Sequence, residues 1–364
     1  MKKVLMVSCE GLGRGGVQAV MMDIVRNLRS EYAFDMLLFT SQVRYYDEEF
    51  LSYGGKILRV PFYEGGNRIM RKLDYYIRSE RLYRGIYKAI RDNGPYDVIH
   101  CNNAYESALC LKAAKKLGIP VRIGHMHICD MSSRLRNMFD TRYLKQIRTD
   151  ATALLACSEE SGKAMFRGSP FVAVPNAYND SRFDPAKYPK MEKKDLLLTQ
   201  IGYFDSNKNQ EFTLQVLKCL RQKGTAAKLA LVGFGDGIHR LQALAKELEI
   251  EDAVEFLVAD TDTPELLSRS AAFLLPSKKE GFGIVLVEAQ AMGVACYAST
   301  NVPPDANAGG CRYLSLADGP ECWADAILQD YEKDSGATKQ YDCTRYSATF
   351  IMEQYKKLYR GEKL

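Results

Sequence analysis

The chain has 364 residues, of which 46% are hydrophobic and 26% charged. That composition excludes a disordered, collagen-like or small disulfide-stapled protein, and at roughly 150 residues per domain the length suggests two cores. The net charge of +5 is too small for a dedicated nucleic-acid binder, but it is unevenly spread: residues 1–180 carry 27 basic and 19 acidic side chains, net +8, and residues 181–364 are net −3.

Short β-rich runs alternate with helical periodicity from end to end, the pattern of parallel sheets with helices on both faces. Strands are predicted at Val4–Cys9, Phe34–Phe39, Lys56–Val60, Val98–His100, Val121–His125 and Ala153–Cys157. Helices are predicted at Val17–Arg29, Leu73–Asp92 and Ala104–Leu117. The polar stretch Asn179–Lys194 holds two prolines, lacks periodicity and reads as a linker. The alternation resumes with strands at Leu196–Gly202, Lys228–Val232, Val254–Leu257, Phe273–Pro276 and Ala295–Ala298. Helices are expected at Glu211–Gln222, Ile238–Leu248, Pro264–Arg269 and Ile284–Met292, and Tyr346–Tyr359 reads as a closing helix. The fold class is α/β, two Rossmann-like doubly wound domains. The division expected is 1–185 and 186–344, with the segment from about 345 to 364 packed back on the first domain. Two such domains predict a cleft lined by loops at the carboxyl ends of the strands.

No apolar run approaches the ~20 residues that cross a bilayer, and Met1-Lys2-Lys3 leads into a strand with no cleavage site behind it. Ten cysteines are scattered without a C-x-x-C pair. This argues against zinc or a disulfide framework and for the reducing cytoplasm.

The first strand ends in Gly11-Leu12-Gly13-Arg14-Gly15-Gly16. The glycines satisfy G-x-G-x-x-G, but the acid that would bind a dinucleotide ribose is missing from the end of the second strand, where Thr40-Ser41-Gln42 stand; Asp35 lies at the strand's other end. The better reading has Gly15 and Gly16 opening a helix whose amides approach an anion. Further on, Arg68, Arg71, Lys72, Arg78, Arg81, Arg84, Lys88 and Arg91 interleave with Tyr75, Tyr76, Tyr83 and Tyr87, and a second cluster holds Arg134, Arg136, Arg142, Lys145 and Arg148. Such a stripe suits an anionic membrane surface or an acceptor phosphate, with Arg71, Lys72, Arg78 and Arg81 as the leading candidates; it equally suits a solvated helix with its tyrosines inward.

Of the four histidines, His100, His125 and His127 fall at strand ends of the first half, and His239 opens a helix as a surface residue. His125 and His127 share a strand face, a spacing that also suits a metal completed by Cys101 or Asp130; core histidines bonded to backbone are the other reading. Asp260-Thr261-Asp262 has the look of a manganese-binding D-x-D but is better explained as a helix N-cap before Thr263-Pro264.

The most informative run is Pro276-Ser277-Lys278-Lys279-Glu280-Gly281-Phe282-Gly283-Ile284-Val285-Leu286-Val287-Glu288-Ala289. A buried strand ends, a glycine turn follows and an apolar helix begins. Glu280 sits at the helix mouth and Glu288 on its second turn, roughly 10 Å further along the axis. Gly281 and Gly283 leave amides bare at a positive helix end, a cradle for phosphate. The alternative makes Glu280 a capping acid and Glu288 a solvated residue.

Glu280 and Glu288 in this context resemble the E-x7-E signature of retaining GT-B glycosyltransferases of family 4. Gly15-Gly16, Val174-Pro175-Asn176, Gly202-Tyr203-Phe204 with Lys208-Asn209, and Leu231-Val232-Gly233-Phe234-Gly235 resemble further family segments in the same order. The resemblance implies a cytoplasmic enzyme, on the membrane's inner face where the basic stripe docks, that moves a sugar from a nucleotide diphosphate sugar, UDP-linked by expectation, to a saccharide or polyprenyl-diphosphate-linked acceptor. The first domain would bind the acceptor and the second the donor, with no metal or other cofactor. It implies that Lys208 neutralises the diphosphate, helped by the Gly15, Gly16, Gly281 and Gly283 amides. By the same resemblance Glu280 touches the transferred sugar, Glu288 holds the ribose, and His127, or else His125, lies beside the sugar. Gly202, Tyr203, Asn209 and Phe282 would line the donor site, and Gly233, Gly235, Val258 and Ala259 the base. Tyr203 stands where the family usually has Arg, which leaves more of the charge to Lys208. A nucleotide-sugar epimerase of the same fold and a non-enzymatic sugar-nucleotide binder are the alternatives.

Overall fold

The computed structural model describes all residues except 9–10, 62–67, 103–104, 128–133, 189–195, 259 and 334–338; the side chains of 68–79, 105 and 134–141 are also outside the description. The chain divides into two compact units, Met1–Ala177 with Ala348–Leu364, and Tyr178–Ser347.

In the first unit seven parallel strands run β1 Lys2–Ser8, β2 Tyr32–Leu38, β3 Ile57–Arg59, β4 Val98–Asn102, β5 Val121–Met126, β6 Ala153–Ala156 and β7 Val172–Ala173. They lie in the order β3-β2-β1-β4-β5-β6-β7. Parallel neighbours need crossovers, which put helices on both faces and make the strands apolar throughout. The crossovers are α1 Gly16–Leu28, α2 Asp47–Ser52, α3 Arg68–Asn93, α4 Tyr105–Lys116, α5 Arg134–Asp150 and α6 Glu159–Phe166. The period-2 alternation of β1 feeds two cores. Val4 and Met6 join α1 on one face, and Leu5 and Val7 join α3, α4 and α5 on the other.

The second unit repeats the plan with β8 Leu197–Ile201, β9 Lys228–Gly233, β10 Val254–Val258, β11 Ala272–Leu275, β12 Ala295–Ser299 and β13 Cys311–Leu314, ordered β10-β9-β8-β11-β12-β13. Its helices are α7 Gln210–Gln222, α8 Ile238–Glu247, α9 Thr263–Arg269, α10 Ile284–Ala291 and α11 Gly319–Glu332. Trp323 of α11 is fully buried, edge-on to Phe212 of α7 at 5.1 Å. The last helix, α12 Ala348–Arg360, belongs to the first unit, where Ile351, Met352, Tyr355, Leu358 and Tyr359 join the core beside α1.

Each predicted strand is present within one or two residues of its expected ends. Sequence reading missed α2, α5, α6, α11, β7 and β13. The basic residues of α5 hide its apolar stripe, and the two- and four-residue edge strands β7 and β13 are too short to show a period. The described part of the expected linker, Asn179–Tyr188, holds only a single 3-10 turn, Pro185–Lys187. Asp35 is no ribose ligand: its buried carboxylate is taken by Lys3 Nζ at 2.9 Å, the Tyr96 hydroxyl at 2.8 Å and the Lys56 amide at 2.8 Å.

Candidate functional site

In the second unit the carboxyl ends of β8 and β11 send out two loops that are laced together. Asp205 Oδ1 accepts the amides of Asn207 and Lys208 at 2.9 and 2.8 Å, which coils the first loop back on itself. Asn207 Nδ2 donates to the Lys279 carbonyl at 3.0 Å, and the Lys278 amide donates to the Asn207 carbonyl at 2.8 Å. Asn209 takes the left-handed conformation at the start of α7, which Asn tolerates, and its side chain donates to the Pro276 carbonyl at 3.1 Å. Its amide is therefore a brace between the loops.

Within this frame Lys208 Nζ lies 2.5 Å from Glu280 Oε1, and Ser277 Oγ donates to the same oxygen at 2.6 Å. Both charged side chains are largely shielded. The lysine stem runs across Gly202, where an added Cβ would stand 3.3–3.4 Å from its methylenes. An ammonium has three N–H donors, so the Glu280 bond does not exhaust it. The arrangement holds a cation, oriented by a carboxylate and a serine, at the end of a parallel strand.

Glycine is required nearby on steric grounds. A Cβ at Gly233 would stand 2.0 Å from the Gly202 carbonyl oxygen, so the ends of β8 and β9 could not close. Gly235 packs on Phe204 in the same turn. Gly283 holds φ +92 at the N-cap of α10, with no side chain capping the helix. Glu288 is half-buried on that helix's second turn, as the spacing predicts, while Phe282 turns its ring inward against Tyr346 at 5.9 Å. Any part of Phe282 in ligand binding is thus played by its backbone. Tyr203 and Phe234 meet edge-to-face at 5.0 Å, with 43% and 41% of their surfaces exposed, and Val258 is 71% exposed. Ala259 lies outside the described residues. Asp262 takes the N-cap position of α9, but its side chain makes no capping bond.

In the first unit Gly15 is the N-cap of α1, likewise without a side-chain cap, and the buried Gln18 folds over it. Among the described residues nothing lies within 4 Å of a Cβ at Gly16. At the carboxyl ends of β4 and β5 the three histidines form one buried cluster. His100 Nδ1 is 2.9 Å from the Tyr359 hydroxyl, and His100 Nε2 is 3.2 Å from His125 Nδ1. The His125 and His127 rings are 4.0 Å apart. These partners of the histidines are side chains, not the backbone of the alternative core reading. His127 Nε2 lies 2.9 Å from Asn102 Oδ1, and Asn102 Nδ2 donates to the Val7 carbonyl, which fixes His127 as an Nε2–H donor. Among the described residues, buried His125 Nε2 and His127 Nδ1 have no hydrogen-bond partner; Asn176 sits beside His127 and favours its charge without closing a bond. Among the described residues no cluster of His, Cys, Asp and Glu is placed to hold a metal. His239 is exposed on α8.

Of the basic residues, Arg81, Arg84, Lys88 and Arg91 form one exposed face of α3, and Tyr83 and Tyr87 turn toward the core under Lys112 and Lys116 of α4. The side chains of Arg71, Lys72 and Arg78 lie outside the description. No described helix is long and apolar enough to cross a membrane. Sequence reasoning missed Ser277, Asn207, Asn102 and Tyr359. Ser277 stood inside the quoted motif; the others act through contacts that no local pattern announces.

Burial lowers the pKa of all three clustered histidines, His100 to about 3 and His127 to about 4, while His125 falls well below its ordinary 6.5. The unfolded chain therefore binds protons that the folded chain refuses. Stability is full above pH 6.5 and is lost as pH falls toward the folded values, by about 2 kcal/mol per ring at pH 5. Urea unfolding at pH 7.5 and 5.0 should show that loss; an unchanged stability would contradict the buried neutral cluster.

Known protein families match both halves of this chain. The description "Glycosyltransferase Family 4" matches residues 14–182 and "Glycosyl transferases group 1" matches residues 180–309. The EpsF protein of Bacillus subtilis (strain 168), named provisionally as a glycosyltransferase, is 30% identical over 348 residues, covering 90% of this chain and 87% of its own. Phosphatidyl-myo-inositol mannosyltransferase of Mycolicibacterium smegmatis is 24% identical over 95% of this chain and 90% of its own. The crystal structure of Anabaena Alr3699/HepE in complex with UDP matches with a TM-score of 0.76 at 15% identity, covering 99% of this chain and 100% of that one. With two parallel-sheet Rossmann-like units and these relatives, the chain belongs to the family 4 glycosyltransferases and is an enzyme of the GT-B fold.

Proposed function

We propose that the enzyme transfers a sugar, with retention of anomeric configuration, from a nucleotide diphosphate sugar to a saccharide or lipid-linked acceptor in cell-surface polysaccharide or glycolipid synthesis. The observation that carries the donor assignment is the shielded pair of Lys208, whose stem lies across Gly202, and Glu280, in the loop that leads to the start of α10. Glycosyl transfer builds negative charge on the leaving diphosphate, and a preorganised cation with helix-end amides stabilises it. Lys208 would meet the diphosphate, with the amides of Gly281 and Gly283 beside it and those of Gly15 and Gly16 serving the same charge from α1. Glu280 would orient Lys208 and touch the transferred sugar, and Glu288 would hold the ribose. Because Tyr203 carries no charge, Lys208 would bear most of the neutralisation. This chemistry needs no metal, since lysine and the amides supply the positive charge.

UDP as the nucleotude carrier is supported by the UDP complex of the Anabaena neighbour. It is supported as well by a relative from Escherichia coli, named as a UDP-Gal:alpha-D-GlcNAc-diphosphoundecaprenol alpha-1,3-galactosyltransferase and 22% identical over 67% of this chain. His127, or else His125, would stand beside the donor sugar. A front-face attack, in which the departing phosphate accepts the acceptor's proton, fits a site with no carboxylate assigned as a covalent nucleophile. The exposed face of Arg81, Arg84, Lys88 and Arg91, in which Arg84 also pairs with Glu80 and Arg91 with Asp92, would meet an anionic bilayer or the acceptor's phosphates.

Incubation with UDP- and GDP-sugars should release nucleotide from one of them, and NMR of the product should show the donor's anomeric configuration kept. Lys208→Ala should lower turnover by on the order of 10²–10³ with the fold retained. Unchanged turnover would overturn the donor-site assignment, and an inverted product would overturn retention. Flotation with anionic vesicles should carry the protein at low salt and release it at high salt; no flotation at low salt would remove the membrane from this reading.

A further inference from the structure

The proposed function assigns no role to His100 or to Tyr359, although both are fully buried and hydrogen-bonded in line with His125. A neutral imidazole has one N–H and one lone pair, so the tautomers of two bonded rings are coupled. If the Tyr359 hydroxyl donates to His100 Nδ1, His100 carries its proton on Nε2 and donates to His125 Nδ1. His125 must then carry its own proton on Nε2. The hydroxyl's other neighbour is Met6 Sδ at 3.6 Å, a weak acceptor. A bond to the imidazole nitrogen at 2.9 Å is the stronger choice, so one of the two tautomer sets prevails. The chain ends at His125 Nε2, a buried atom with no hydrogen-bond partner among the described residues, as expected of a group that meets a ligand.

We propose that Tyr359 and His100 are positioning residues: they lock His125 in its Nε2–H form, so that it presents a fixed hydrogen-bond donor to a hydroxyl oxygen of the donor sugar. The C-terminal helix α12 thereby sets the chemistry of a strand end far away in sequence. The ligand part of this inference rests on the donor-sugar reading above; the tautomer part does not.

With only four histidines in the chain, imidazole nitrogen NMR on the full-length protein resolves each ring. In the absence of substrate His125 should show a protonated Nε2 and a bare Nδ1. Tyr359→Phe, which removes one oxygen from a ring of the same shape, should replace that single form by an averaged signal. It should also lower kcat about tenfold with the donor KM unchanged within twofold. A wild-type His125 protonated on Nδ1 would overturn the lock, whether or not the variant folds. A shifted tautomer with unchanged kcat would overturn the positioning role. If no nucleotide sugar is turned over by the wild type, the donor-sugar reading fails and takes the ligand part with it, while the spectrum still decides the lock.

Discussion

An ammonium and a carboxylate 2.5 Å apart, Lys208 and Glu280, join loops that leave two different strands of the second unit. Fully exposed, such a pair would contribute about 0–1 kcal/mol, and its side chains would wander. Here the pair is shielded, Ser277 holds the carboxylate, and three hydrogen bonds between the loops fix the backbone on both sides. The close approach of Gly233 to Gly202 lets the neighbouring strand end pack against this frame. The result is a positive charge whose position is set before any ligand arrives, which is the condition under which electrostatics lower a barrier most.

The first unit solves a different problem. Its histidine cluster is uncharged because burial makes protonation costly, and its polarity is directional: which nitrogen donates is dictated by Asn102, Tyr359 and their own partners. One unit therefore offers fixed charge and the other fixed hydrogen-bond direction.

Much of this was legible in the sequence because it is local. The strand and helix alternation, the glycine turns and the spacing of Glu280 and Glu288 each lie within a dozen residues, and each appears where it was expected. What escaped is non-local or masked by charge. His100 and Tyr359 are separated by 259 positions, and no period links them. Asn209 reads as a ligand-binding residue beside Lys208, and its bond to the Pro276 carbonyl, which braces the two loops, has no local signature. Helix α5 went unseen because its basic residues dilute the apolar stripe that would announce it. Asp35 shows the converse: an acid at nearly the right count for a dinucleotide ribose is consumed by Lys3, Tyr96 and a backbone amide.

The proposed contact of Lys208 with a diphosphate is tested most directly by calorimetric titration of UDP and of uridine into the wild type and Lys208→Ala. A charge-assisted hydrogen bond contributes about 1.5–3 kcal/mol, so the variant should bind UDP roughly 10- to 100-fold more weakly and uridine with unchanged affinity. Equal affinity of both proteins for UDP, or an equal loss for uridine, would contradict the account.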